Sequence, residues 1–439
     1  MLALGVDCGT SKVAVALVDQ GGVSVHAAAL VHQGELPTPA GRAEQDGERI
    51  VRAAEELVRS LPGELRAQVA AIGLTGQMHG VLLHDREGKV RSPLVSWQDR
   101  RVLEDPGFIT ALPHPRALHA GYGIATLHWW ARQGALGEDL RAATIHGLLA
   151  ARWCGLERAV IDPTDDQAWG GLAGAAAVIR GLLPRQVGHG ERIGALTAAA
   201  AATLGLPVGA LVAAPLGDNQ ASLRATLTEP LQELAFTLGT GCQLAAVVRR
   251  DDPIAPGHSD LRPYDAEHQL LVAAPLCGGA AWLWLADTAA SWCADLGLQP
   301  PGRDQLLATL DRLGLSAADR LSCHPHFAGE RHDPALTASF GGFTLPHGRL
   351  GEVARAVARG IAANARDLLP VAARAGRLRV VASGNALRRS ALLRAMAEEE
   401  LGLPLLLRSP REEAATGAAL VAAAALTAGG ETPAAPSAR

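Results

Sequence analysis

The sequence predicts a pair of α/β domains built on one plan, and three observations carry that prediction. An apolar strand, a polar glycine-bearing turn and a second apolar strand open the chain over residues 2–18. The same device returns at residues 234–248, and around both copies apolar strand patterns alternate with amphipathic helix patterns. With 439 residues, 48% hydrophobic and 19% charged, the chain is large enough for two compact cores. The expected division is 1–225 and 226–428, and the Pro/Ala-rich end at 429–439 is expected to be a disordered tail.

Taken in order, Leu2 to Val6 reads as a strand, Asp7-Cys8-Gly9-Thr10-Ser11 as a turn, and Val13 to Val18 as the returning strand. Ile50 to Leu61 has helical spacing, and Val69 to Thr75 is a buried-strand pattern running into Gly76-Gln77-Met78-His79-Gly80. Ile193 to Gly217 carries no charge, long enough to raise a membrane span. Its alanines, Gly205, Pro207, Gly209 and Pro215 split it instead into a short helix, a Gly-Leu-Pro turn and a strand, so a soluble chain is expected. The strand Leu211 to Leu216 then delivers Gly217-Asp218-Asn219-Gln220 to a turn, with Ala221-Ser222-Leu223 starting the next helix.

In the second half, Leu234 to Leu238 leads through Gly239-Thr240-Gly241 into Gln243 to Val248. Trp282, Trp284 and Trp292 fall on a helical pattern and are expected in a core or domain interface. Helical spacing over Arg349 to Arg374 is followed by the strand Leu378 to Ala382, the turn Ser383-Gly384-Asn385 and a helix from Ser390 to Leu401.

A formal net charge of −4 gives no broad basic field for nucleic acid, while a small anion can still be held by backbone N–H groups. Lys12 and Lys89 are the only lysines among otherwise arginine cations. The six cysteines have no paired spacing, which fits a reducing compartment, and the N-terminus reaches Asp7 before a signal-length apolar run forms. The expected location is the cytoplasm. His324 and His326 alternate around Pro325 without cysteine or carboxylate partners at ligand spacing, and are expected to be ordinary loop residues.

Turns rich in Gly, Thr and Ser present successive N–H groups and hydroxyls without side-chain obstruction, so the two hairpin tips are candidate phosphate cradles. Each alone is more often a plain hairpin. No Gly-x-x-x-x-Gly-Lys-Ser/Thr loop occurs, which disfavours a P-loop enzyme. Asp7, at a strand end, suits a hydrated Mg²⁺ or an Asx-turn. Asp218 reads either as a helix cap or as a base accepting a proton from an attacking hydroxyl.

Together these segments resemble the FGGY family of carbohydrate kinases over nearly the whole chain. The resemblance rests on Asp7 to Ser11, Gly76 to Gly80, Trp97-Gln98-Asp99-Arg100-Arg101, Gly217 to Gln220, Gly239 to Gly241 and Ser383-Gly384-Asn385-Ala386, in the family's order. It implies two actin-like, ribonuclease H-like domains with ATP in the interdomain cleft. Asp218 would then be the catalytic base and, with Asp7, would attend Mg²⁺. Gly9, Thr10, Ser11, Gly239, Thr240 and Gly241 would surround the ATP phosphates, and Gly384, Asn385 and Gly417 would serve the adenosine pocket. Ala14 stands where the family often has a basic residue, and Lys12 falls earlier, so no phosphate role is assigned to that lysine.

The same resemblance implies that Gln77, Met78, His79, Trp97, Asp99, Asp218 and Asn219 meet the sugar. On their own, His79 is more often a structural histidine and Trp97 a core aromatic. Gly329-Glu330-Arg331-His332-Asp333-Pro334 and Trp97-Gln98-Asp99 look more like sedoheptulose kinases than xylulose kinases. The expected partners are thus a ketose and ATP, with neither nucleic acid nor membrane, and a homodimer is the assembly left open. The contrasting expectation is a non-catalytic nucleotide or sugar sensor on the same fold.

Overall fold

The computed structural model describes residues 1–114, 118–137, 139–408 and 410–427. The tail expected at 429–439 lies outside the described residues. The chain folds as two compact units, the first Met1–Ala225 joined by residues 410–427, the second residues 226–408.

The first unit opens on β1 (Leu2–Cys8), β2 (Lys12–Val18) and β3 (Ser24–Val31), an antiparallel run. Helix α1 (Gly47–Ser60) follows, capped by the Asp46 carboxylate, which accepts from the Arg49 N–H. Its buried Ile50, Val51, Ala54, Leu57 and Val58 recur at helical spacing and face the sheet core. β4 (Val69–Gly76) runs parallel to β1. Helix α2 (Ile145–Cys154) and the short α3 (Pro163–Trp169) come next, then β5 (Arg192–Ala195), β6 (Leu211–Ala213) and β7 (Leu216–Gly217), and α4 (Asp218–Thr226). The sheet order is β5-β6-β4-β1-β2-β3, with β7 pairing β4. The uncharged stretch therefore forms a strand, a short helix Ala198–Leu204 and two more strands, as its glycines and prolines dictate. No helix among the described residues is long and apolar enough to cross a membrane.

The second unit repeats the plan. β8 (Glu233–Leu238) and β9 (Cys242–Arg249) form the hairpin, followed by β10 (Asp260–Pro263) and β11 (His268–Ala273). Then come α5 (Gly279–Asp295), α6 (Arg303–Ser316), α7 (Leu350–Leu368), β12 (Arg379–Ser383), α8 (Asn385–Arg389), α9 (Ala391–Leu401) and β13 (Leu405–Leu407). The order is β10-β11-β9-β8-β12-β13. In both sheets the first hairpin strand pairs antiparallel with its successor and parallel with a later strand, which is the duplication seen in the sequence. The helix expected over 349–374 stops at Leu368, because Pro370 lacks the N–H needed to continue it. Trp282 is buried as expected, whereas Trp284 and Trp292 on the same helix are exposed.

The last helix, α10 (Glu413–Thr427), returns to the first unit and lies on β1, β2 and β4. Its Ala415, Ala418, Ala419 and Ala422 are fully buried. This differs from the expected division, which kept the chain to residue 428 in the second domain. The small side chains let the helix sit close on the sheet face opposite α1, and that burial decides its place.

Candidate active site

The parallel register of the first sheet brings three strand ends level. Thr75 of β4 pairs with Asp7 on one side and Leu216 on the other, so Asp7, the Gln77–His79 loop and Asp218 leave the sheet at the same edge. Carboxyl ends of parallel strands are where α/β sheets present ligand-binding groups.

Both carboxylates there are perturbed. Burial pushes Asp7 up to about 7, and the nearby charge of Asp218 adds to it, opposed by His146 and Lys12. Burial likewise pushes Asp218 up to about 6, reinforced by Asp165 and opposed by His146 and by the N–H of Asn219. Asp7 Oδ1 is buried and accepts no hydrogen bond. That orphaned oxygen fits a hydrated cation. No group of three or more His, Cys, Asp or Glu among the described residues could hold a metal ion.

Behind the two carboxylates lies a buried pair that the sequence reading missed. His146 Nε2 is 2.6 Å from Asp165 Oδ2, with both side chains essentially inaccessible. Burial by itself would push His146 down, but the charge of Asp165 and the hydrogen bond to it, with Asp218 and Asp162 beyond, leave it raised. Asp162 caps α3, accepting from the N–H groups of Thr164 and Asp165. The Asp-Pro start of this helix is a sequence signal for that cap.

The expected sugar residues gather at the same edge. Gln77 Nε2 donates to Gln45 Oε1 at 2.8 Å, and Gln45 Nε2 donates to the Thr10 carbonyl at 2.6 Å, so a residue without any motif signature links the two loops. Met78 packs against Gly217, just before Asp218. His79 stacks on Tyr122, ring centroids 4.6 Å apart, with its Nδ1 2.5 Å from the Ala168 carbonyl. Trp97 is 42% exposed and donates from Nε1 to Thr10 Oγ1, so it is no core aromatic. Asn219 sits in the first turn of α4.

Asp99 is different from the expectation of a sugar contact. It is 1% exposed, and both oxygens are engaged by Arg101 and by the Ala43 N–H, while Arg101 also pairs with Glu44. With its lone pairs committed, it braces the turn carrying Trp97. Lys12 pairs with Glu412 at 2.6 Å.

In the second unit, the Gly239-Thr240-Gly241 turn is closed by the Gly239 N–H donating to the Gly241 carbonyl, and the Thr240 carbonyl accepts from Ala280 at the start of α5. A side chain added at Gly239 or Gly241 would meet nothing, so the backbone there is open to a ligand's approach. Gly384 precedes α8 at φ +95°, and a Cβ there would lie 2.3 Å from the Leu238 carbonyl, which excludes other residues. Asn385 begins that helix.

Gly417 is the last of the residues expected at the adenosine pocket. It belongs to the first unit, where a Cβ would lie 1.7 Å from the carbonyl oxygen of Ala221 on α4. Its lack of a side chain thus serves the contact between α10 and the helix bearing Asp218.

The N-terminal domain of the FGGY family of carbohydrate kinases matches residues 2–112, and the C-terminal domain of that family matches residues 234–426. Human sedoheptulokinase is 30% identical, the match covering 96% of this chain and 97% of that protein. The chain belongs to the FGGY family of carbohydrate kinases. As an FGGY kinase it is an ATP-dependent sugar phosphotransferase. The xylulose kinase of Escherichia coli strain K12 is 26% identical, over 82% of this chain and 76% of its own. The solved xylulose kinase of Rhodospirillum rubrum superposes with a TM-score of 0.78 at 23% identity, covering 98% of this chain and 90% of that one, a likeness of fold. The FGGY fold of two actin-like, ribonuclease H-like domains accounts for the duplicated sheets.

Proposed function

We propose that this FGGY kinase phosphorylates the terminal primary hydroxyl of a ketose, converting sedoheptulose to sedoheptulose 7-phosphate. The observation that carries the reading is the end-to-end similarity to human sedoheptulokinase, which leaves almost none of either chain unmatched. Xylulose is the second substrate reading, favoured by the similarity to the Escherichia coli xylulose kinase.

Asp218 serves as the base. Its carboxylate takes the proton of the sugar hydroxyl while the oxygen forms a bond to the γ-phosphorus of ATP, the bond to the β-phosphate oxygen breaks, and ADP leaves. Burial that raises Asp218 makes it a better proton acceptor than an ordinary carboxylate, yet keeps it ionised at neutral pH. The turns at Gly9-Thr10-Ser11 and Gly239-Thr240-Gly241 cradle phosphate oxygens, and Gly384 with Asn385 takes the adenosine. Asp7, together with Asp218, would hold Mg²⁺ through water, and the ion would neutralise charge on the phosphates. His79, Trp97, Gln77, Met78 and Asn219 orient the sugar.

We place the reaction in the cytoplasm, where reduced thiols persist; all six cysteines are free. The test is a coupled ADP-release assay over ketoses, aldoses and polyols. Sedoheptulose should give the largest kcat/KM, and a preference for xylulose, glycerol or an aldose would replace that substrate. ADP release independent of any sugar would favour the sensor reading. Asp218→Asn should abolish turnover and leave ATP binding nearly intact, whereas near-normal turnover would remove Asp218 from its role.

A further inference from the structure

The base-bearing helix α4 is held from one buried carboxylate at two points. The Thr164 hydroxyl donates to Asp162 Oδ1 at 2.6 Å and accepts from the Gly217 N–H at 2.8 Å, so it grips the residue immediately before Asp218. Asp162 Oδ2 lies 3.2 Å from His189 Nδ1, and His189 Nε2 lies 3.4 Å from Arg224 Nη2, further along the same helix. Asp162 and Thr164 are each 1% exposed, and His189 has only 11% of its side chain exposed.

β7, which precedes the base, is only two residues long and pairs with β4 alone. So short a strand fixes the direction of the following side chain weakly. The Gly217 N–H points away from water and finds its acceptor in Thr164, because a buried amide left without one is costly. Asp162 in turn fixes the Thr164 hydroxyl as donor toward itself, leaving the threonine lone pair for Gly217. The same carboxylate caps α3, so α3 and α4 share one anchor.

We infer that Asp162 and Thr164 are positioning residues for phosphoryl transfer, setting the aim of Asp218 through the Gly217 N–H, with His189 and Arg224 holding the distal part of α4. The inference rests on the reading of Asp218 as base. Neither residue touches the reacting atoms. Their effect is geometric, and a misaimed base loses rate without losing ligand affinity, by about 10- to 100-fold for a displacement near 1 Å.

Thr164→Val keeps the shape and removes the hydroxyl, while Thr164→Ser keeps the hydroxyl. The experiment measures kcat, both KM values and the unfolding midpoint for the two variants, with sedoheptulose and ATP as substrates. Thr164→Val should lower kcat about 10- to 100-fold, with KM for ATP and ketose within about twofold, and Thr164→Ser should return most of it. His189→Gln, breaking the second arm, should lower kcat less than Thr164→Val does. If Thr164→Val is too unstable to assay, Thr164→Ser and His189→Gln carry the test through their kcat-against-KM split. Unchanged kcat in the folded variants, or a loss of kcat that tracks the unfolding midpoint and is not rescued by serine, overturns the inference. An Asp218→Asn enzyme that still turns over would instead remove the base reading on which it stands.

Discussion

The indole N–H of Trp97 donates to the hydroxyl of Thr10 at 3.0 Å. This bond joins the loop expected to meet the sugar to the turn expected to meet the phosphates, and Trp97 still leaves 42% of its surface exposed. Gln45 makes a second tie between the same two regions, through the Thr10 carbonyl and Gln77. On the proposed roles of these residues, sugar and nucleotide recognition should be coupled through neighbouring side chains of one unit.

From that coupling, Trp97→Phe and Thr10→Val should each lower kcat/KM for the ketose about tenfold, the size of one lost hydrogen bond near 1–1.5 kcal/mol. The double variant should lose little more than either single one, because both remove the same bond. Steady-state kinetics on the four proteins measures the coupling. Fully additive losses would show that the two residues act separately.

The perturbation of Asp218 fixes an expected pH profile. The base must be ionised, and burial moves its titration from the ordinary 3.8 to about 6. log(kcat/KM) should therefore be flat above that value and fall about tenfold per pH unit below it, since this ratio reports the free enzyme. Rates measured with the coupling enzymes checked at each pH would reveal the limb. A profile flat down to pH 5 contradicts a raised base.

Much of this arrangement was legible in the sequence, and the omissions have physical reasons. Both hairpins and the strand ahead of Gly217 announced themselves as apolar runs stopped by polar, glycine-bearing turns, so Asp7 and Asp218 could be named as strand-end carboxylates. What local pattern could not give is which distant segments pack beside them. His146 and Asp165 sit on separate helices and meet only in the fold. Gln45 carries no motif, and Tyr122 reaches His79 from far along the chain. The alanine-rich C-terminal helix looked like a continuation of the second domain, because sequence order shows hydrophobic faces but not the sheet that receives them. The surroundings of Asp99 were hidden for a similar reason: its neighbour Arg101 was visible, but not that both of its oxygens are engaged by Arg101 and the Ala43 N–H.

Gly417→Ala sets two effects against each other. Alanine is the better helix former by about 1 kcal/mol, which alone would stabilise α10. Against this, the new Cβ would lie 1.7 Å from the Ala221 carbonyl, a backbone atom that cannot rotate away. Forcing such a contact costs about 1–3 kcal/mol or more, so the clash wins and the denaturation midpoint should fall. Because Ala221 lies on the helix bearing Asp218, kcat should fall as well. A stabilised, fully active variant would mean that α10 and α4 separate freely.

Asp7→Asn should trade activity for stability, and the sign follows from its titration. The folded protein holds the Asp7 proton up to about 7, whereas an ordinary aspartate releases it near 3.8. Between those values the native state binds more protons, so Asp7 makes folding less favourable as pH rises through that window, and the penalty is fully developed above about 7. Removing the charge should raise the unfolding temperature at pH 8 and change it little at pH 4. Turnover should fall sharply at the same time, and added Mg²⁺ should no longer raise the unfolding temperature, as it should for the unmodified protein with ATP. Thermal unfolding at the two pH values, with and without Mg²⁺ and ATP, reads all of these. A lower unfolding temperature at pH 8 would mean that the Asp7 carboxylate is held by favourable contacts, and its unpartnered oxygen would no longer argue for a cation.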